Sequence, residues 1–192
     1  HMIRDPSAFD ETLGALRRYV REQLIPREAQ VEQLDEVPAD LVDDLARRGF
    51  FGWSIPQEWG GGGMTTEELV LAAMELSQAS VAFRARVGTN TGIGSEALVA
   101  DGTPGQKARY LPRMACGDEI WAQGWSEPNA GSDMAAIRAT ARIEGDHGAA
   151  LGAEAFRRSL LRLRVDGRLD GRALGLAAGQ HVHDAAVEQL VR

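Results

Sequence analysis

The sequence predicts a mainly α-helical protein with a small β portion: an amino-terminal helical bundle, the start of a β domain, and a carboxy-terminal helical segment. Three observations carry that expectation. Apolar residues recur at spacings of three and four between helix-start and helix-stop signals over the first 118 residues. Ile137, Ala139, Ala141 and Ile143 alternate with Arg138, Thr140, Arg142 and Glu144, the period of a strand with one wet and one buried face. From Phe156 onward that alternation is lost and the chain turns rich in alanine, leucine and arginine. The expected segments are 3–117, 118–149 and 150–192.

The first helix is expected to start at Ser7, whose hydroxyl can cap it, and to stop before Pro26. Phe9, Leu13, Leu16, Val20 and Leu24 then share one face. Pro38 in a first turn, Leu41 and Leu45 inside and Gly49 just past the end define a short second helix. Phe50, Phe51, Trp53, Ile55 and Trp59 form an aromatic-rich core cluster. The run Gly60 to Gly63 lacks the Lys-Ser/Thr step of a nucleotide-binding loop, so a flexible bend is expected in place of a phosphate cradle. Thr65 and Glu68 form a capping box ahead of Leu69, Ala72, Ala73 and Leu76. Val81 to Val99 reads as a helix softened by Gly88, Gly92 and Gly94, and Thr103-Pro104-Gly105-Gln106 opens another that runs to about Cys116. Glu119 to Gln123 begins a strand-like stretch, while Phe156 to Val165 and Arg168 to Leu190 read as helical.

Composition narrows the function classes. A content of 44% hydrophobic and 26% charged residues is ordinary for a folded globular chain. No apolar run approaches the roughly 20 residues that cross a bilayer, and no charged-then-apolar leader opens the chain, so neither membrane insertion nor secretion is expected. His1-Met2 reads as an expression-vector remnant. The single Cys116 forms no intramolecular disulfide, which suits a reducing, cytoplasmic location. A net charge of -7 argues against nucleic acid. Residues from His147 onward are net cationic on an acidic body, a distribution that suits either an anionic ligand or solvated helix faces. His181 and His183 diverge on a helix and make no metal pair, so no metal site is expected.

The densest chemical signal lies between the two strand-like stretches, in Gly124-Trp125-Ser126-Glu127-Pro128-Asn129-Ala130-Gly131-Ser132-Asp133. Ala130, Gly131 and Ser132 are small enough to let a ligand reach the backbone, and Ser126 and Ser132 offer hydroxyls. This run resembles the first signature of the acyl-CoA dehydrogenase family, in which a Thr or Ser, then Glu-Pro, then Gly-Ser-Asp lie beside the flavin ring of FAD. The likeness extends over residues 7 to 146, including Pro-Gln-Glu-Trp-Gly-Gly at Pro56 to Gly61 and Asp-Gly-Thr at Asp101 to Thr103.

The resemblance implies FAD as cofactor and the α,β-desaturation of an acyl-CoA thioester, by α-proton abstraction and β-hydride transfer to flavin N5. A hydride acceptor must come from a cofactor, because no ordinary side chain provides one. By the same resemblance Ser126 lies near flavin N5, while Gln123, Gly124 and Trp125 line the pyrimidine edge. Trp125 departs from the usual aliphatic residue. Gly131 and Ser132 match positions nearest the cofactor, Ser132 also facing the thioester tail; Asp170 and Arg172 match the substrate end through the weaker likeness of Leu169 to Gly179. Glu127 and Asp133 brace the turn. The family's catalytic Glu falls in a later region or where this chain offers Arg172, which cannot accept a proton, so the catalytic residue stays unassigned.

The resemblance also implies a homodimer or homotetramer and an electron-transfer flavoprotein or similar acceptor. It makes the chain lack most of the middle β domain, near Asp146 to Ala150, and the helices after Arg192. Two alternatives remain open: a flavin-dependent oxidase or monooxygenase of the same fold, and a noncatalytic helical interaction module.

Overall fold

Asp5, not Ser7, starts the first helix of the computed structural model, which describes residues 3–121, 130–136, 140–144 and 147–151. The Asp5 carboxylate accepts the Ala8 amide at 3.1 Å and opens α1, Pro6–Tyr19. The helical path does not stop before Pro26. It continues through a wide turn, Val20–Leu24, where the Ile25 amide reaches back five residues to the Val20 carbonyl, and a tight turn, Ile25–Arg27, into α2, Glu28–Leu34. A proline ring collides with the carbonyl four residues earlier, and a widened turn just ahead of it relieves that collision. The stop expected at Pro26 is thereby converted into a distortion.

α3, Ala39–Arg47, follows Pro38 and turns Leu41 and Leu45 inward. The capping box expected ahead of α4, Thr66–Leu76, is present. The Glu68 amide donates to the Thr65 hydroxyl at 3.3 Å and the Thr65 amide to the Glu68 carboxylate at 2.9 Å. α5, Val81–Gly88, a second wide turn, Thr89–Gly94, and α6, Ser95–Asp101, follow one another without a break. The second box, at Thr103 and Gln106, opens α7, Pro104–Ala115.

These helices belong to the first of two compact units, His1–Ile120 and Trp121–Arg192. Phe9, Leu16, Val20 and Leu24 present the buried face expected of α1, and Leu13 packs on the core partly buried. Phe51, Phe83, Leu24, Leu45 and Leu76 are fully buried, each contributing about 2 kcal/mol of transfer free energy. Phe50 meets Tyr19 edge to face at 5.6 Å and Trp53 at 4.7 Å, while Trp59 is half-buried. Ion pairs between Arg17 and Glu75 and between Arg4 and Glu68 join the start of the chain to α4.

The glycine run is not a flexible bend. The Gly62 amide donates to the Gly52 carbonyl at 2.8 Å, Gly63 to Ile55 at 2.8 Å and Met64 to Trp53 at 2.7 Å. These amides are spent on the protein's own carbonyls.

In the second unit Met134–Ala136 forms a tight helical turn. β1, Thr140–Glu144, pairs antiparallel with β2, His147–Leu151, in a register that sets Thr140 opposite Leu151 and Glu144 opposite His147. The alternation expected from Ile137 thus coincides with a strand at 140–144, residues 137–139 lying outside the described residues. Glu119 to Trp121, expected to begin a strand, are irregular, and Ala122 and Gln123 are outside the described residues. So are the helices expected at 156–165 and 168–190.

Candidate functional site

The chain enters the signature run from the end of α7, and that exit is built by residues far apart in sequence. Beyond Ala115 the chain reverses at Gly117, whose φ of 80 lies in the left-handed region and whose missing Cβ would stand 2.9 Å from the Phe51 ring. The Gly117 amide donates to the Met114 carbonyl at 3.2 Å and the Glu119 amide to the Arg113 carbonyl at 3.0 Å. Arg113 Nε also pairs with Glu119 Oε1 at 3.0 Å, and the Glu119 side chain is almost wholly buried. Ile120 packs partly buried against the core.

Asn90 holds this exit from the other side. It is 0% exposed, and its Nδ2 donates to the Met114 carbonyl at 3.1 Å and to the Glu119 carbonyl at 2.8 Å. Two carbonyl acceptors use both amide protons and fix the orientation of the side chain. Asn90 sits in the wide turn Thr89–Gly94, and Asn90, Thr91, Gly94 and the following Ser95 are all buried. The Thr91 hydroxyl donates to the Val87 carbonyl at 3.2 Å, and the Ser54 hydroxyl donates to the Thr91 carbonyl at 2.5 Å. Ser54 and Ser95 hydroxyls lie 2.9 Å apart. None of these residues is singled out by the sequence expectations, which register only the glycines here. A usable signal lies in the spacing: Asn90, Thr91 and Ser95 fall on the same helical face as the buried Phe83, Val87 and Leu98, so polar side chains are carried into the core there.

Of the residues expected to bind cofactor or substrate, Gly131 and Ser132 fall among the described residues. They follow the buried Ala130 on an exposed turn that continues through Asp133, whose carbonyl accepts the Ala136 amide at 3.2 Å. Among the described residues no heavy atom lies within 4 Å of the place a Cβ on Gly131 would occupy. Gln123, Gly124, Trp125, Ser126, Asp170 and Arg172 lie outside the described residues. Among the described residues no cluster of three or more His, Cys, Asp or Glu side chains could hold a metal ion, and no helix is long and apolar enough to cross a membrane.

This arrangement of helices ahead of a signature run and a strand pair has counterparts among known proteins. The family model for the acyl-CoA dehydrogenase amino-terminal domain matches residues 9–118. The chain belongs to the acyl-CoA dehydrogenase family. It is 34% identical over 145 residues to (2S)-methylsuccinyl-CoA dehydrogenase from Cereibacter sphaeroides, an alignment covering 73% of this chain and 26% of that protein. Among solved structures it resembles glutaryl-CoA dehydrogenase from Mycobacterium smegmatis, with a TM-score of 0.66, 30% identity, and coverage of 76% of this chain and 38% of the other. It likewise resembles an acyl-CoA dehydrogenase from Bacillus anthracis solved in complex with FAD, with a TM-score of 0.66, 28% identity, and coverage of 78% and 26%. In each case this chain spans well under half of its relative. The mainly helical fold with a small β portion agrees with the sequence expectation.

Proposed function

We propose that this chain forms the amino-terminal helical domain and the flavin-contacting loop of an FAD-dependent acyl-CoA dehydrogenase. The observation that carries the reading is the run Ser126-Glu127-Pro128-Asn129-Ala130-Gly131-Ser132-Asp133, placed directly after a bundle that matches the family's amino-terminal domain. The relative solved with FAD and the relative named for a glutaryl thioester supply further support. When bound, FAD supplies the hydride acceptor for desaturation of an acyl-CoA. The small Gly131 and the exposed Ser132 suit close approach of a ligand to the turn.

In this reading 3–117 is the helical domain, 118–149 a partial β domain and 150–192 a helical segment of the carboxy-terminal domain. Ser126 donates its hydroxyl to the ring, and the backbone of Gln123, Gly124 and Trp125 offers donors to its polar edge. Amide donors so placed stabilise negative charge on a reduced ring. Gly131 gives the ring access, and Ser132, Asp170 and Arg172 hold the thioester ligand. No residue of this chain is assigned as catalytic base. The partners proposed are an acyl-CoA, a second copy of the chain and an electron-transfer flavoprotein or similar acceptor.

The test is titration of the purified chain with FAD, followed by anaerobic addition of an acyl-CoA. A structured, red-shifted flavin band that saturates supports flavin binding, and bleaching by the thioester supports desaturation. A flavin that is reduced only by a reductase and reoxidised with oxygen uptake favours an oxidase or monooxygenase, for which the bulky Trp125 leaves room. A spectrum identical to free FAD at every concentration sinks both and leaves an interaction module.

A further inference from the structure

We infer that Arg86 anchors an anion site on the helical bundle, one that takes the carboxylate of a small organic acid. The site lies wholly within the first unit and does not depend on the flavin reading.

The arginines of that unit divide by how their charge is met. Arg4, Arg17, Arg27, Arg47, Arg48 and Arg113 pair with carboxylates. Arg18, Arg21, Arg84 and Arg109 are exposed and left to water. Arg86, on α5, belongs to neither group. It is half-buried, and among the described residues no carboxylate lies within ion-pair distance of it. Its Nε is shut off from solvent and has no hydrogen-bond partner among those residues. A charged N–H withdrawn from water with nothing to donate to is unfavourable by itself. An acceptor that binds there removes that cost, so the folded chain favours one.

The surroundings select the kind of anion. A guanidinium offers Nε and one terminal nitrogen side by side, the spacing that a carboxylate accepts with both oxygens. The Arg86 side chain is long and tied by no hydrogen bond among the described residues, so a small outward swing presents that edge. Thr89, half-buried and three residues on, lies on the same flank and adds a hydroxyl. Burial lowers the pKa of the Arg86 guanidinium, and the Glu36 carboxylate opposes that shift from a distance. Glu36 is exposed and keeps its own hydration. Its negative charge repels a dianion about twice as strongly as a monoanion. One guanidinium facing one distant carboxylate therefore favours a carboxylate ligand over phosphate.

The experiment follows the arginine Nε–Hε resonances of the FAD-free 192-residue chain by NMR during titration with butyrate and, separately, with inorganic phosphate, at constant ionic strength. The expected result is a saturable shift of the Arg86 resonance by butyrate, with a dissociation constant on the order of 1–10 mM, while the exposed Arg84 barely moves. Arg86→Lys keeps the charge but loses the planar fork, so binding read from the amides of residues 82–90 should weaken about tenfold. Glu36→Gln should tighten it about twofold. Arg86→Met, which removes an unpaired charge at similar length, should melt at or above the wild-type temperature. No saturable shift with butyrate, or tighter binding of phosphate, would overturn the inference. So would a clear loss of stability in Arg86→Met, or an Arg86 resonance that responds to Glu36→Gln and to neither anion, because either result gives the guanidinium a partner within the protein.

Discussion

The guanidinium carbon of Arg48 stands 4.0 Å from the centroid of the Tyr19 ring, and its Nε donates to Asp44 at 2.8 Å. Asp44 is thus shared between α3, where it also accepts from Arg47 at 3.1 Å, and the aromatic end of α1. Burial works against its charge, but Arg48, Tyr19 and Arg47 together outweigh it and hold the carboxyl at about 2, below its usual 3.8.

A carboxyl depressed in the folded state contributes stability that is complete above its unfolded value and is lost as pH falls through its folded value. Stability from Asp44 is therefore expected to be full above about pH 4 and to disappear toward pH 2. Asp44→Asn should cost about 1–2 kcal/mol at neutral pH and flatten that part of the curve. Urea melts of both proteins between pH 2 and 7 check this; a parallel pair of curves refutes it.

Gly61 and Gly60 should respond differently to alanine. A Cβ on Gly61 would lie 2.0 Å from the Ile55 carbonyl oxygen, within the hydrogen-bonded turn, so Gly61→Ala is expected to cost upwards of about 3 kcal/mol through backbone displacement. Gly60 has open space and a φ of 83, so Gly60→Ala should cost only about 1 kcal/mol of left-handed strain. Chemical denaturation of the two variants gives the comparison. Equal losses would mean that the turn can shift.

Glu68 unites two tasks. It closes the capping box and, 3% exposed, accepts from the Arg4 amide at 3.0 Å and the Arg4 guanidinium at 3.3 Å. Although burial opposes the charge, the Thr65 amide and the Arg4 donors outweigh it and lower the carboxyl. Thr65→Ala removes one cap bond and should cost about 1 kcal/mol. Glu68→Ala removes the acceptor of the Thr65 amide, the Arg4 amide and the Arg4 guanidinium, all at a part-buried site, and should cost more, about 1–3 kcal/mol. Thermal melts rank the pair, and protease sensitivity at residues 3–5 should rise in the Glu68 variant alone.

On the proposed function, Ser126→Ala should weaken FAD binding through one lost hydrogen bond of about 0.5–1.5 kcal/mol, a factor of roughly 2 to 12 in affinity. Its melting temperature without FAD should match wild type. A flavin titration in which the two proteins coincide would remove Ser126 from the ring's surroundings.

Much of the bundle was legible because its signals are local. Thr65 with Glu68 and Thr103 with Gln106 satisfy helix-end amides within three residues, so the same residues that announce the cap also make it. The spacing of Phe9, Leu16, Val20 and Leu24 likewise needed only a helix period to place them inside. The signature run was legible as chemistry for the same reason: its small residues and hydroxyls are contiguous.

Local pattern was thus enough for the two capping boxes, the apolar faces, the strand at 140–144 and the family, but not for the first cap, where Asp5 takes the place expected of Ser7. The remaining features depend on contacts between distant parts of the chain. Helix persistence through Pro26 depends on a turn widened over an already packed face, and the glycine run is held by Gly52, Trp53 and Ile55. The pairing of Asn90 with Met114 and Glu119 spans 24 and 29 residues. A contact of that range is set by how helices pack, and packing is a property of the folded core that no local pattern of residues encodes.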